Sequence, residues 1–224
     1  MELIERSSFM KTVIFLLLSS LVGGVAEAEG IGARGFSLNA AVGIENLDES
    51  NLRFPDFPSL SGSAGQKNYM VGRIGAAFNQ PISKKLLVGF GVDWFPHDSD
   101  TKTSSVSSSG SVVETSKNSI RNRVSVFLTP RFVIDEHSSA YAKLGYTTAD
   151  AAGVAQSDGF RSQVRADGYL LGLGYRRDLS ERVYAFSEFE YHELGTVTDR
   201  SDPAVVTKFD IRRLGFSVGL GLKF

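Results

Sequence analysis

The stretch Arg213-Leu214-Gly215-Phe216-Ser217-Val218-Gly219-Leu220-Gly221-Leu222-Lys223-Phe224 decides the fold. Leu214, Phe216, Val218, Leu220, Leu222 and Phe224 share one parity, while Arg213, Gly215, Ser217, Gly219, Gly221 and Lys223 share the other. Successive side chains of a β-strand point to opposite faces, so this is a strand with a greasy face and a face of glycine and charge.

The same asymmetry recurs upstream. Phe36, Leu38, Ala40, Val42 and Ile44 oppose Ser37, Asn39, Ala41, Gly43 and Glu45. Met70, Gly72, Ile74, Ala76 and Phe78 oppose Tyr69, Val71, Arg73, Gly75 and Ala77, and Leu86 to Trp94 alternates with Gly89, Gly91 and Asp93. A fourth strand, roughly 120–134, sets Val124, Val126, Leu128 and Phe132 against Arg121, Arg123, Ser125, Thr129 and Arg131. A fifth sets Ala142, Leu144 and Tyr146 against Tyr141, Lys143, Gly145 and Thr147. The sixth sets Tyr169, Leu171, Leu173 and Tyr175 against Gly168, Leu170, Gly172, Gly174 and Arg176. In the seventh, Val183, Ala185, Phe189 and Tyr191 oppose Glu188, Glu190 and His192, with Ser187 outside and Tyr184 and Phe186 inside as misfits.

A soluble eight-stranded barrel hides its apolar parity, but here the charges lie on the parity where bulky groups are few. The pattern is inside out. It predicts an all-β, eight-stranded, antiparallel, up-and-down transmembrane barrel, with Trp94, Tyr169, Tyr175, Tyr191 and Phe224 in two interfacial girdles. Closure also satisfies every backbone polar group, as lipid requires. Short turns at 81–84, 135–138 and 178–181 alternate with long polar connections, the asymmetry of periplasmic turns and external loops. The Ser- and Thr-rich stretch 99–117 reads as a solvated loop or a hairpin continuing strands three and four. Pro130 lacks the N–H that a closed ladder wants, so a bulge is expected there.

The rest of the 224-residue chain narrows the function. It is 42% hydrophobic and 22% charged, with 23 Gly and no Cys. Without Cys there is no disulfide scaffold, thiolate zinc site or lipoprotein anchor. With 24 Lys plus Arg against 25 Asp plus Glu, no basic excess favours nucleic acid. Residues 1–28 read as a Sec signal peptide: Arg6 and Lys11, an apolar run of about ten from Val13 to Val22 that is too short to span a bilayer, then Ala26-Glu27-Ala28. Translation from Met10 gives a tidier leader than from Met1. Residues 29–224 are then the barrel, and cleavage leaves it with no net formal charge.

Chemistry-bearing residues are few. His97, His137 and His192 are the three histidines, and none has an identifiable nucleophile nearby. All three are expected to be solvated or at a rim, and no catalytic residue is assigned. A lipid A deacylase of barrel type would carry a His-x-Ser-Asn type motif, which is missing. Asp98 and Asp100 beside His97, or Asp199 and Asp202 near Pro203, lack a recognisable metal-ligand spacing and read as solvated carboxylates. No cofactor or metal is expected.

The inward charges form the main constellation: Glu45, Arg73, Asp93, Arg121, Arg123, Arg131, Lys143, Arg176, Glu188, Glu190 and Arg213. An eight-stranded barrel is only wide enough for side chains to fill. These charges are expected to pair and close the lumen, Glu188 and Glu190 with Arg213 and Arg176 on the neighbouring strands. A constricted pore lined by them is the competing reading.

The C-terminus, through Ser217, Gly219, Leu222 and Phe224, resembles the assembly signal of bacterial outer-membrane barrels: a polar residue, Gly two on, a hydrophobic residue three further, and a terminal aromatic. Leu171-Gly172-Leu173-Gly174-Tyr175, a turn at 178–182 and Glu188-Phe189-Glu190-Tyr191 are similar to the last hairpin of the OmpA-like and opacity-type barrel superfamily. The resemblance covers the mature chain in layout and its last third in residue detail. It implies Sec export, insertion by the barrel assembly machinery, and contact with outer-membrane lipid and lipopolysaccharide. It fixes no single activity, since relatives include adhesins, complement-resistance factors, structural anchors and a few lipid-modifying enzymes. The expectation is a non-enzymatic barrel whose four external loops contact a host or cell-surface ligand. A narrow channel and a lipid-modifying enzyme are the alternatives.

Overall fold

A computed structural model of the chain describes residues 34–224, apart from 64–65, 101–102, 110, 157–158 and 203–204. The leader expected over residues 1–28 lies outside the described residues. Among the described residues eleven strands are seen: β1 (Gly35–Arg53), β2 (Leu60–Ser63), β3 (Lys67–Pro81), β4 (Leu86–Phe95), β5 (Ser99–Asp100), β6 (Ser104–Ser108), β7 (Ser111–Val133), β8 (Ser138–Ala155), β9 (Arg161–Asp178), β10 (Val183–Asp202) and β11 (Val205–Lys223). Eight of them close a ring, β1-β3-β4-β7-β8-β9-β10-β11 and back to β1, each antiparallel to the next. This is the eight-stranded up-and-down barrel that the alternation predicts.

The apolar parity points outward. Leu38, Val42, Ile44, Leu173, Phe216 and Leu220 are all exposed, while Glu45, Arg73, Asp93, Lys143 and Arg213 are buried. Trp94, Tyr146, Tyr169 and Tyr191 lie toward the outer end of the greasy band, and Tyr175 and Phe224 at the periplasmic end. Two inward aromatics, Tyr184 and Phe186, are buried because Gly221 and Gly219 face them: a Cβ at either glycine would collide with the ring.

Parity changes within β7. Asn122 has a φ of 50°, and the β7–β8 register slips between Arg121 and Val124. A bulge of this kind adds one residue to one strand and reverses the facing of what precedes it. Ile120 is therefore buried and Arg121 lies outside, paired with Asp98 at 3.1 Å, which corrects its assignment to the lumen. At Pro130 the expected bulge is not found. The register continues unshifted from Leu128 to Arg131, Pro130 stays opposite Val88, and the ladder to β8 has no partner at 129–130.

A transmembrane β-strand needs about 9–11 residues, whereas β7 has 23 and β8 to β11 have 18 to 20. The wall therefore rises well beyond the membrane. Up there β6 pairs with β7 and β2 with β6, taking the places that β4 and β3 hold below, so the Ser-rich stretch is a hairpin. β9 and β10 part company beyond Tyr169 and Glu193, next to Gly195 with its φ of 65°. The upper wall is thus two sheets, β2-β6-β7-β8-β9 and β10-β11-β1.

Candidate functional site

The lumen is layered. In the central layer β3 supplies Arg73, β4 Asp93, β8 Lys143, and β10 Glu188 and Glu190. The Lys143 ammonium donates to Asp93 Oδ2 at 2.5 Å, Glu190 Oε1 at 2.6 Å and Glu188 Oε2 at 3.2 Å. Arg73 Nη1 donates to Glu190 Oε1 at 2.8 Å and Asp93 Oδ2 at 3.1 Å, and its Nη2 donates to Glu188. The Tyr141 hydroxyl donates to Glu188 Oε1 at 2.7 Å. Gly75 leaves the space that the Asp93 carboxylate fills.

Glu188 and Glu190 thus pair across the lumen with Arg73 and Lys143, not along the ladders with Arg213 and Arg176. The three carboxylates lie close enough together to hold a hard cation, but Lys143 and Arg73 stand among them as the counter-charges. Charge-assisted contacts of this kind are among the stronger hydrogen bonds.

Toward the outside, Glu45 takes two hydrogen bonds from Arg123, at 2.6 and 2.5 Å, one from Tyr69 at 2.5 Å, and an ion pair from Arg213 at 3.5 Å. Arg123 lies over the Phe95 ring at 3.4 Å. Toward the periplasm, Arg176 pairs with Asp178 at 3.0 Å and covers Tyr184 at 3.6 Å, and Lys223 reaches Asp178 at 2.5 Å. Arg131 stacks over Tyr141 at 5.4 Å. The ten residues Glu45, Arg73, Asp93, Arg123, Arg131, Lys143, Arg176, Glu188, Glu190 and Arg213 are all buried. Cavities among them measure about 10 and 40 Å³, room for a water or two.

One constellation escapes the strand pattern. Ser125 Oγ lies 2.6 Å from Thr147 Oγ1, which lies 3.1 Å from His192 Nδ1, and His192 Nε2 is 3.7 Å from Glu190. The order hydroxyl, imidazole, carboxylate is that of a nucleophile relay. Ser125 and Thr147 have 0% exposure and His192 1%, so no substrate reaches them. This corrects the expectation of a solvated His192: its place on the inner parity of β10 takes it into the interior.

The other candidates are at the surface. The His137 N–H donates to Asp135 Oδ1 at 2.8 Å in the turn between β7 and β8. That backbone donor holds the Asp135 carboxyl below its usual range. His97 lies over outward-facing Gly72. Of the terminal residues, Ser217 and Gly219 face the lumen and Leu222 and Phe224 face outward. The Phe224 N–H donates to the Phe36 carbonyl at 2.9 Å and the two rings lie 6.2 Å apart.

Above the charges lies an apolar layer of Leu47, Ile120, Ala149, Ala166, Leu194, Val197 and Ile211. Above that, between the two upper sheets, is a cup of about 330 Å³ walled by Leu52, Phe54, Leu60, Phe160 and Phe209. Glu49, Glu114 and Asp199 also line it. Glu49 is buried, accepts from Asn118 Nδ2 at 3.0 Å, and burial pushes its carboxyl above the usual range. The sequence offers no period that marks this cup, because β2 and β6 are short and nearly all serine and glycine.

No protein-family model and no curated protein matches the sequence. Solved structures do match. Neisserial surface protein A aligns with a TM-score of 0.52 at 14% identity over 85% of this chain and 97% of that one. OprG of Pseudomonas aeruginosa gives 0.52 at 12% over 88% and 99%. The attachment invasion locus protein Ail of Yersinia pestis gives 0.50 at 15% over 85% and 99%. At such identities the likeness is one of fold. A closed ring of eight strands, a greasy outer face and these neighbours show that the chain has the fold of an eight-stranded outer-membrane β-barrel.

Proposed function

We propose that this barrel is a non-enzymatic, non-conducting surface protein whose extracellular extension makes its contacts with ligands. The observation that carries this reading is the division of labour along the strands. The membrane part is filled by paired charges with cavities of about 10 and 40 Å³, while the upper wall diverges into two sheets around a cup eight to thirty times larger. The Ser125, Thr147 and His192 relay is sealed, which argues against an enzyme. In this reading lipopolysaccharide and lipid surround the apolar belt, and Ser217, Gly219, Leu222 and Phe224 are read by the barrel assembly machinery.

Planar-bilayer recording tests the central point. Purified barrel should pass no steady current. A stable conductance whose charge selectivity changes in Glu188→Gln would replace this reading with a channel. For the assembly signal, deleting Phe224 should lower outer-membrane levels in cells and leave detergent refolding nearly unchanged. Normal surface levels would remove that assignment.

A further inference from the structure

The lumen charges do not balance layer by layer. The central cluster sets Asp93, Glu188 and Glu190 against two cations, Arg73 and Lys143. The periplasmic layer reverses this: among the described residues Arg131, Arg176 and Lys223 have the one carboxylate of Asp178. Asp178 Oδ1 accepts from Arg176 Nε at 3.0 Å and its Oδ2 from Lys223 Nζ at 2.5 Å, so both oxygens are taken.

Arg131 is left over. It is 8% exposed, yet among the described residues its side chain has no ion pair and no hydrogen bond, and its Nε is sealed without a partner. What it touches is the Tyr141 ring, at 5.4 Å. The Tyr141 hydroxyl is spent on Glu188, so this ring, and no carboxylate, is what the central cluster presents to Arg131. The charge that bears on Arg131 most is Arg176, of like sign, and Asp178 bears on it less. Both arginines line the cavity of about 40 Å³, with the Thr129 side chain beside them; at its other end Arg73, Lys143, Asp93 and Glu188 satisfy one another. A buried cation gives up its hydration and recovers the loss only from an opposite charge and hydrogen-bond acceptors.

We propose that this cavity binds one small inorganic anion, of the size of chloride, held by the Arg131 and Arg176 guanidinium groups on the periplasmic side of the plug. A cavity needs about 10–15 Å³ to hold a water, so one of about 40 Å³ admits a monatomic anion and excludes an organic acid. The guanidinium group is weakly hydrated, so bromide should bind at least as well as chloride. The site lies at the opposite end of the barrel from the cup, and stands or falls apart from what the upper wall binds.

The test uses the full barrel in non-ionic detergent micelles, with empty micelles as the control, and reads chloride binding from the line width of the chloride NMR signal. Excess broadening over empty micelles is expected, and bromide should remove it by displacement. Arg131→Met keeps an unbranched stem without the charge and should lose the excess. Arg177→Gln, which removes an exposed arginine from the outer face of β9, should keep it. Broadening that survives Arg131→Met, or that is displaced by phosphate but not by bromide, overturns the assignment. Crystals of the wild-type barrel soaked in bromide test the site without a variant. An anomalous peak is expected within hydrogen-bond reach of the Arg131 guanidinium, and its absence overturns the proposal even if Arg131→Met fails to fold.

Discussion

The membrane section and the cup are made by largely the same strands, yet they solve opposite problems. Below, five charged side chains from four strands converge, and each carboxylate finds Lys143 or Arg73 within hydrogen-bond reach. Above, β1, β7 and β10 again bring carboxylates, Glu49, Glu114 and Asp199, to a shared interior, but the walls part around a cup. The difference follows from pairing. Where the ring is closed the lumen is narrow enough for side chains to span it. Where β9 leaves β10 the walls are no longer held by a shared ladder. A closed ladder makes a plug, and an opened one makes a pocket.

The sharpest way to break that contrast is to make the lower layer resemble the upper one. Lys143→Ala leaves Asp93, Glu188 and Glu190 sharing a single guanidinium. Removing one partner of a buried charge cluster costs about 3–5 kcal/mol, so the urea midpoint of the barrel in micelles should fall steeply. An unchanged midpoint would mean that water, not Lys143, compensates those carboxylates.

The next effect belongs to the outer face, which encloses both regions. Val218, opposite Val42 on β1 and Ser187 on β10, projects from the greasy parity. Val218→Arg should cost about 2–4 kcal/mol if it lies near the midplane, read as a lower folded fraction in lipid vesicles, with Lys223→Ala as the near-neutral control. Equal folding yields for Val218→Arg and wild type would show the parity to be reversed.

A smaller effect separates the cup by pH. Burial raises Glu49 above 4.5, with Asp48 adding to the rise and Asn118 and Arg213 opposing it. The folded protein therefore holds this proton more tightly than the unfolded chain does. The resulting stability is full below about 4.5 and is lost as pH rises through the higher folded value. Glu49→Gln should match wild type at low pH and be the more stable of the two at neutral pH; a gap that widened on acidification would reverse the assignment. The smallest effect is expected in the periplasmic turn. Asp135 is held below 3.8 by the His137 N–H, so its contribution is present above that value and fades as pH falls through the lowered one. Asp135→Asn should change the urea midpoint at pH 7 slightly, and at pH 2 not at all.

How much of this is legible in the sequence depends on whether a feature is local. Strand parity is legible because glycine and charge alternate with hydrocarbon residue by residue, and the three short turns are visible for the same reason. Tyr184 and Phe186 read as misfits until Gly221 and Gly219 are placed opposite them, which needs the β10–β11 register. Arg121 is misread because a single residue, Asn122 at positive φ, reverses parity within an otherwise regular pattern. Asn tolerates that conformation, so its position between two arginines was the available signal. The partners of Glu188 and Glu190 lie across the lumen, at a stagger that period two does not encode. The cup depends on β2 and β6 replacing β3 and β4, a substitution between strands far apart in the chain.

One ladder sets the order in which the barrel can come together. Seven of the eight ring seams join strands that follow one another in the ring as they do in the chain, and the eighth pairs Ser37 with Lys223 and Leu47 with Arg213. Contacts between distant segments form slowly because the chain must first close a long loop. Arg73, Asp93 and Lys143 lie on strands joined through β3, β4, β7 and β8, whereas Glu188 and Glu190 on β10 stand nearest to Arg73 by way of that seam, so the charge cluster is completed only when the cylinder shuts. Until then those side chains remain hydrated, and a half-built barrel is not trapped with an unpaired ion in its interior. The closure of one ladder thus both shuts the cylinder and completes the cluster that fills it.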